Sequence, residues 1–110
     1  MTVSTHILDA MAGRPAAGVA VGLSMLASDG SWVPVEAAGT DADGRFRFAA
    51  PTPAGVYRLT FATGAYFADR AVEAFYPEVT ITFTVDGDPG GHYHVPLLLS
   101  PYAYSTYRGS

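Results

Sequence analysis

The sequence predicts an all-β sandwich of about eight short strands with one short helix. Three observations carry this expectation. Apolar and polar residues alternate with period two along several runs, turn-forming residues separate those runs, and only one stretch has helical character. The length, 110 residues, is that of one domain spanning 1–110.

Taken in order, a first strand is expected near residues 3–8. Next, Val19, Val21, Leu23 and Met25 alternate with Ala20, Gly22, Ser24 and Leu26, and a shorter strand is expected near 31–37. Phe46 and Phe48 alternate with Arg45 and Arg47, and Tyr57, Leu59 and Phe61 with Arg58, Thr60 and Ala62. The helical stretch is 65–74, apolar at Tyr66, Ala71 and Ala74, polar at Asp69, Arg70 and Glu73, and stopped before Pro77. Val79, Ile81, Phe83 and Val85 then alternate with Thr80, Thr82, Thr84 and Asp86, a strand with one polar face. The last strands are expected near 92–99 and 103–108. Turns fall at 13–15, 28–30, 43–44, 51–53 and 86–91, where Gly, Pro, Asp and Ser supply the backbone angles that reversals need.

Composition narrows the function. Hydrophobic residues make up 49% of the chain and charged residues 15%, which excludes disorder and predicts that another subunit covers part of the apolar surface. The net charge is −4, and the six basic residues are all arginines set singly, so no footprint for nucleic acid exists. Without cysteine there are no disulfides, thiolates or cysteine-ligated metals. No secretory signal opens the sequence and no apolar run is long enough to span a bilayer, so a cytoplasmic protein without membrane contact is expected.

Three features could carry chemistry. His6 lies within the first strand, and Arg45 follows an Asp-Gly turn at the start of another. His92 and His94, at i and i+2 of a strand, share one face. With His6 as a third ligand such a pair could bind zinc; it could equally move protons near neutral pH, or be a plain polar patch. Spacing alone leaves these open. The C-terminus is also unusual, because Tyr102, Tyr104 and Tyr107 crowd a segment that in most chains is polar and frayed. A terminus of this composition is expected to be tied down.

At these residues a resemblance becomes specific. The segment 92–101, His-Tyr-His-Val-Pro-Leu-Leu-Leu-Ser-Pro, with Tyr104-Ser105-Thr106-Tyr107-Arg108-Gly109-Ser110 after it, resembles the C-terminal signature of the 5-hydroxyisourate hydrolases. His6-Ile7-Leu8-Asp9 with Gly13-Arg14-Pro15-Ala16, and Thr40-Asp41-Ala42-Asp43-Gly44-Arg45, resemble two further signatures. Tyr66-Phe67 and Phe75-Tyr76-Pro77-Glu78 fit as well, so the likeness runs through essentially the whole chain.

The resemblance implies a transthyretin-like β-sandwich of two four-stranded sheets with one short helix, assembled as a homotetramer, a dimer of dimers. It implies active sites in the channel between facing dimers, built from residues of facing subunits. The reaction it implies is hydrolysis of 5-hydroxyisourate to 2-oxo-4-hydroxy-4-carboxy-5-ureidoimidazoline in urate degradation, with neither metal nor organic cofactor. Catalytic and substrate-binding positions of the family fall on His6, Arg45, His94 and Tyr107. His92 is placed behind them. Transthyretin, the hormone carrier of the same fold, differs at these positions, with a lysine matching His6, so the resemblance favours the enzyme over a small-molecule carrier. Pro96 lacks an amide hydrogen, and the strand carrying His94 is therefore expected to be irregular or at an edge there.

Overall fold

The computed structural model describes residues 2–88 and 90–109. Pro89, in the expected 86–91 turn, and Ser110, in the C-terminal signature, lie outside the described residues, as does Met1. In chain order the described residues form β1 (Thr2–Asp9), β2 (Arg14–Pro15), β3 (Ala20–Leu26), β4 (Trp32–Gly39), β5 (Arg45–Arg47), β6 (Gly55–Phe61), α1 (Thr63–Ala68), β7 (Val79–Val85), β8 (His92–Leu99) and β9 (Tyr104–Thr106). None contains a helix long and apolar enough to cross a membrane.

Alternation in sequence becomes alternation in burial. Along β1, Val3, Thr5, Ile7 and Asp9 are buried, whereas Thr2, Ser4, His6 and Leu8 are half-buried. β8 repeats this with Tyr93, Val95, Leu97 and Leu99 inward. From the opposite sheet come Val21 and Leu23 of β3, Tyr57, Leu59 and Phe61 of β6, and Val79 and Val85 of β7. Phe48 and Phe67 fill the remaining space, each such burial contributing about 1.5–3 kcal/mol.

One sheet has the order β4-β3-β6-β7, antiparallel throughout. The other runs β2-β1-β8-β9, with β5 also paired to β1. β8 lies parallel to β1 along its whole length, so β2 and β5 must share the other edge of β1, at Leu8–Asp9 and Ser4–His6 respectively. This sheet therefore holds five strands in four positions, where the resemblance implies four strands. The two residues of β2 are too few to show any alternation.

Two boundaries differ from expectation for physical reasons. α1 spans Thr63–Ala68 instead of 65–74, because Ala71 takes a positive φ of 55° and the Phe67 carbonyl accepts from both Arg70 and Val72. Its start is held by the returning chain, where the Gly64 amide donates to the Pro77 carbonyl at 3.0 Å. β9 ends at Thr106 instead of 108. Leu97↔Thr106 and the isolated bridge His94↔Gly109 belong to one register, which sets Tyr107 opposite Pro96. Pro96 offers no N–H, and the ladder with β9 lapses there. The expected irregularity at Pro96 is thus on the β9 side, while pairing with β1 continues through it (His6↔Pro96). The terminus is tied down beyond the gap, where the Gly109 amide donates to the His94 carbonyl at 2.8 Å.

Candidate active site

The outward face of the five-stranded sheet gathers the polar residues that alternation expels from the core. On β1 these are Thr2, Ser4 and His6, and on β8 His92 and His94. Register places Ser4 beside both Arg47 and His94, and His6 beside both Arg45 and Pro96. Directly paired side chains on one face lie about 5 Å apart at Cβ. Residues distant in sequence are thereby brought into one patch by strand pairing alone.

β5 delivers the arginines through a tight turn. The Asp41 carboxylate accepts the amides of Asp43 and Arg45, both at 2.9 Å, and Gly44 turns the chain with φ of 74°. A Cβ on Gly44 would stand 2.5 Å from the Ile7 carbonyl oxygen, so only glycine brings β5 this close to β1. The Ile7 amide then donates to the Gly44 carbonyl at 2.8 Å.

The result is an open pocket of about 410 Å³ lined by Ser4, Asp41, Arg45, Phe46, Arg47, His92 and His94, with Thr5 at its base. His6 lies beside it, near enough to His94 for its charge to act on that ring. Burial, followed by the charges of His6, His92 and Arg45, holds the His94 pKa below its usual value. Burial and then Arg47 lower that of His92. Both imidazoles thus favour their neutral forms.

Hydrogen bonds link the two rings. The Ser4 hydroxyl lies 2.8 Å from His92 Nε2 and 2.8 Å from His94 Nδ1. The Thr2 hydroxyl lies 2.6 Å from His92 Nδ1, with Arg47 Nη2 at 3.5 Å from the same nitrogen. Gly109 packs flat on the other side, where an added Cβ would meet His94 Cδ2 at 2.5 Å. Among the described residues no group of three His, Cys, Asp or Glu is arranged to hold a metal ion.

Of the residues singled out from sequence, His6, Arg45, His92 and His94 come together. Tyr107 does not join them within one subunit. It is 59% exposed and borders a separate, apolar pocket of about 220 Å³ with Ile81, Phe83, Tyr93 and Val95. Sequence reasoning missed Ser4, Thr2, Arg47 and Gly109. Period two along β1 puts Thr2 and Ser4 on the face of His6 and could have found them; no local signal marks Gly109 as a contact of His94.

A sandwich of this topology, with imidazoles and a guanidinium converging on one outer sheet face, is of the transthyretin type. The chain belongs to the HIUase/Transthyretin family, whose model matches residues 3–109. It is 45% identical to the 5-hydroxyisourate hydrolase of Salmonella typhimurium over 98% of this chain and 80% of that protein. The structure of Klebsiella pneumoniae 5-hydroxyisourate hydrolase superposes with a TM-score of 0.88 at 44% identity, covering 100% of both chains. Transthyretin from Sparus aurata superposes with a TM-score of 0.91 at 36% identity, covering 97% of this chain and 95% of that one. Backbone shape therefore does not separate a 5-hydroxyisourate hydrolase from a transthyretin, and the side chains must.

Proposed function

We propose that the protein hydrolyses 5-hydroxyisourate to 2-oxo-4-hydroxy-4-carboxy-5-ureidoimidazoline, opening a cyclic amide in urate degradation. The observation that carries this reading is that strand pairing brings Arg45 and His94 to one pocket with His6 beside it, from three different strands. Relatives at 45% identity bear the name of that activity, which agrees with it.

In this reading water attacks the amide carbonyl carbon while imidazole removes its proton, a contribution of about 10²–10⁴-fold. Arg45 holds the substrate and stabilises the negative charge that grows on the carbonyl oxygen. The C–N bond then breaks, and the leaving nitrogen recovers a proton from the same imidazole. No step calls for a metal or organic cofactor. The working assembly is a homotetramer in which facing subunits close the open pocket, and Tyr107 reaches substrate through its hydroxyl from across that interface.

Freshly generated 5-hydroxyisourate, followed by its ultraviolet decay, tests this directly. The protein is expected to accelerate the decay, and equally so after dialysis against a strong chelator. Absence of acceleration would refute the hydrolase in favour of a carrier. Activity lost on chelation and restored by zinc would replace it with a metal-dependent enzyme.

A further inference from the structure

Two neutral imidazoles joined by one hydroxyl have a limited number of proton arrangements, and the surroundings select among them. Arg47 can only donate hydrogen bonds, and its Nη2 faces His92 Nδ1 at 3.5 Å. A hydrogen on that nitrogen would point at a cation. Nδ1 of His92 is therefore the acceptor, and the Thr2 hydroxyl at 2.6 Å turns its hydrogen toward it.

A neutral imidazole carries a single N–H. That of His92 must then be on Nε2, from which it donates to the Ser4 hydroxyl oxygen at 2.8 Å. Ser4 has one hydrogen, which is left for His94 Nδ1 at 2.8 Å. His94, itself kept neutral by burial and by the charges around it, carries its proton on Nε2.

We propose that Ser4 is a positioning residue that fixes His94 as the Nε2–H tautomer, through a one-way chain running from Thr2 and Arg47 by way of His92. The assignment rests on the hydrolase reading and divides its labour. His94 presents a hydrogen-bond donor, and joins Arg45 in stabilising the carbonyl oxygen as negative charge develops. His6, which stands outside the chain, is the base. It takes the proton of the attacking water as the C–O bond forms, and returns it to the ring nitrogen as the C–N bond breaks. The Ser4 hydroxyl is taken up by the two rings, and it acts through the His94 ring.

The tautomers are read by long-range ¹H–¹⁵N correlation on the intact, ¹⁵N-labelled protein above the histidine titration range, with no substrate present. His92 and His94 are both expected as Nε2–H forms. Ser4→Ala should mix the His94 tautomers and lower kcat by about tenfold with little change in KM, and Ser4→Thr should restore both. In the pH profile of kcat, His6→Asn should remove the acid limb and His94→Asn should keep it. His94 found as the Nδ1–H form, or Ser4→Ala with wild-type spectrum and kcat, would overturn the chain. Loss of the acid limb in His94→Asn would overturn the choice of His6 as base. Expected tautomers in a protein that never turns over 5-hydroxyisourate would uphold the chain and refute the hydrolase reading instead.

Discussion

His94 is gripped on both sides, by the Ser4 hydroxyl at Nδ1 and by Gly109 against Cδ2. That grip makes small changes at the site costly to function and cheap to the fold. His6→Asn and His94→Asn are each expected to lower kcat by about 10²–10⁴-fold with an unchanged circular dichroism spectrum. Arg45→Lys should be similarly severe, because an ammonium lacks the planar fork of the guanidinium. Gly109→Ala would drive the ring off its Ser4 contact, and a loss of about 10–100-fold in kcat is expected with only a small fall in melting temperature. The depressed pKa values also set a pH dependence of stability. Unfolded histidine binds its proton near 6.5, while folded His92 and His94 bind only at lower pH. Between those values the unfolded chain holds more protons, so stability falls as pH drops through about 6.5 and levels off below the folded values. Asp29 and Asp86, whose pKa values are lowered by hydrogen bonds, chiefly from Ser31 and Tyr93, add their losses only below pH 3.8. Urea midpoints at pH 7.5 and 5.5 should therefore differ, and differ less in His92→Gln. Equal slopes in the two proteins would remove His92 from the linkage.

At the scale of elements, the turn of Asp41 to Gly44 positions β5 against β1. Gly44→Ala combines a left-handed backbone with a collision against the Ile7 carbonyl, at a cost of about 2–4 kcal/mol. A lower melting temperature together with a higher KM is expected, since Arg45 is the first residue after the turn; thermal denaturation and steady-state kinetics would show both. The long strands and this turn were legible in the sequence because their signals are local. Val79 to Val85 alternate without exception, and Asp-Gly marks the reversal before Arg45. Where the structure departs, a distant partner decides. β2 exists only because Leu8 and Asp9 offer an open edge to Arg14 and Pro15. α1 begins at Thr63 because Pro77 accepts the Gly64 amide, and β9 stops at Thr106 because Pro96, on the neighbouring strand, has no N–H to continue the ladder. The site divides the same way. The histidines and Arg45 could be singled out by residue type, whereas Ser4, an ordinary strand serine by sequence, matters only because β8 lies parallel to β1 and sets two imidazoles beside it.

For the whole molecule the question is what lies over the outward face of the five-stranded sheet. Leu98 is 38% exposed there, two residues beyond Pro96, with Ser105 paired to it. Tyr102, Tyr104 and Tyr107, on or beside the edge strand β9, form an exposed margin to this sheet. Such a margin beside an open polar pocket suits a second copy of the chain, and light scattering is expected to show a tetramer whose activity is lost on dilution to dimers. The sharper test concerns Tyr107. Opposite Pro96 the chain leaves the ladder, and the tyrosine lies away from its own His94 pocket, beside Ile81 and Phe83. Deleting residues 107–110 should abolish activity, but it also removes the Gly109 amide that binds the His94 carbonyl, and so cannot isolate the tyrosine. Tyr107→Ala keeps that bond, and Tyr107→Phe keeps the ring without the hydroxyl; both should be severely impaired if the hydroxyl orients substrate. Co-expression of Tyr107→Ala with His94→Asn then decides which subunit supplies the side chain. If each site takes His94 from one subunit and Tyr107 from the facing one, a mixed pair regains one intact site, and random assembly restores about a quarter of wild-type activity. If both come from the same subunit, every site in the mixture lacks one of them, and the co-expressed protein will be as inactive as its parents.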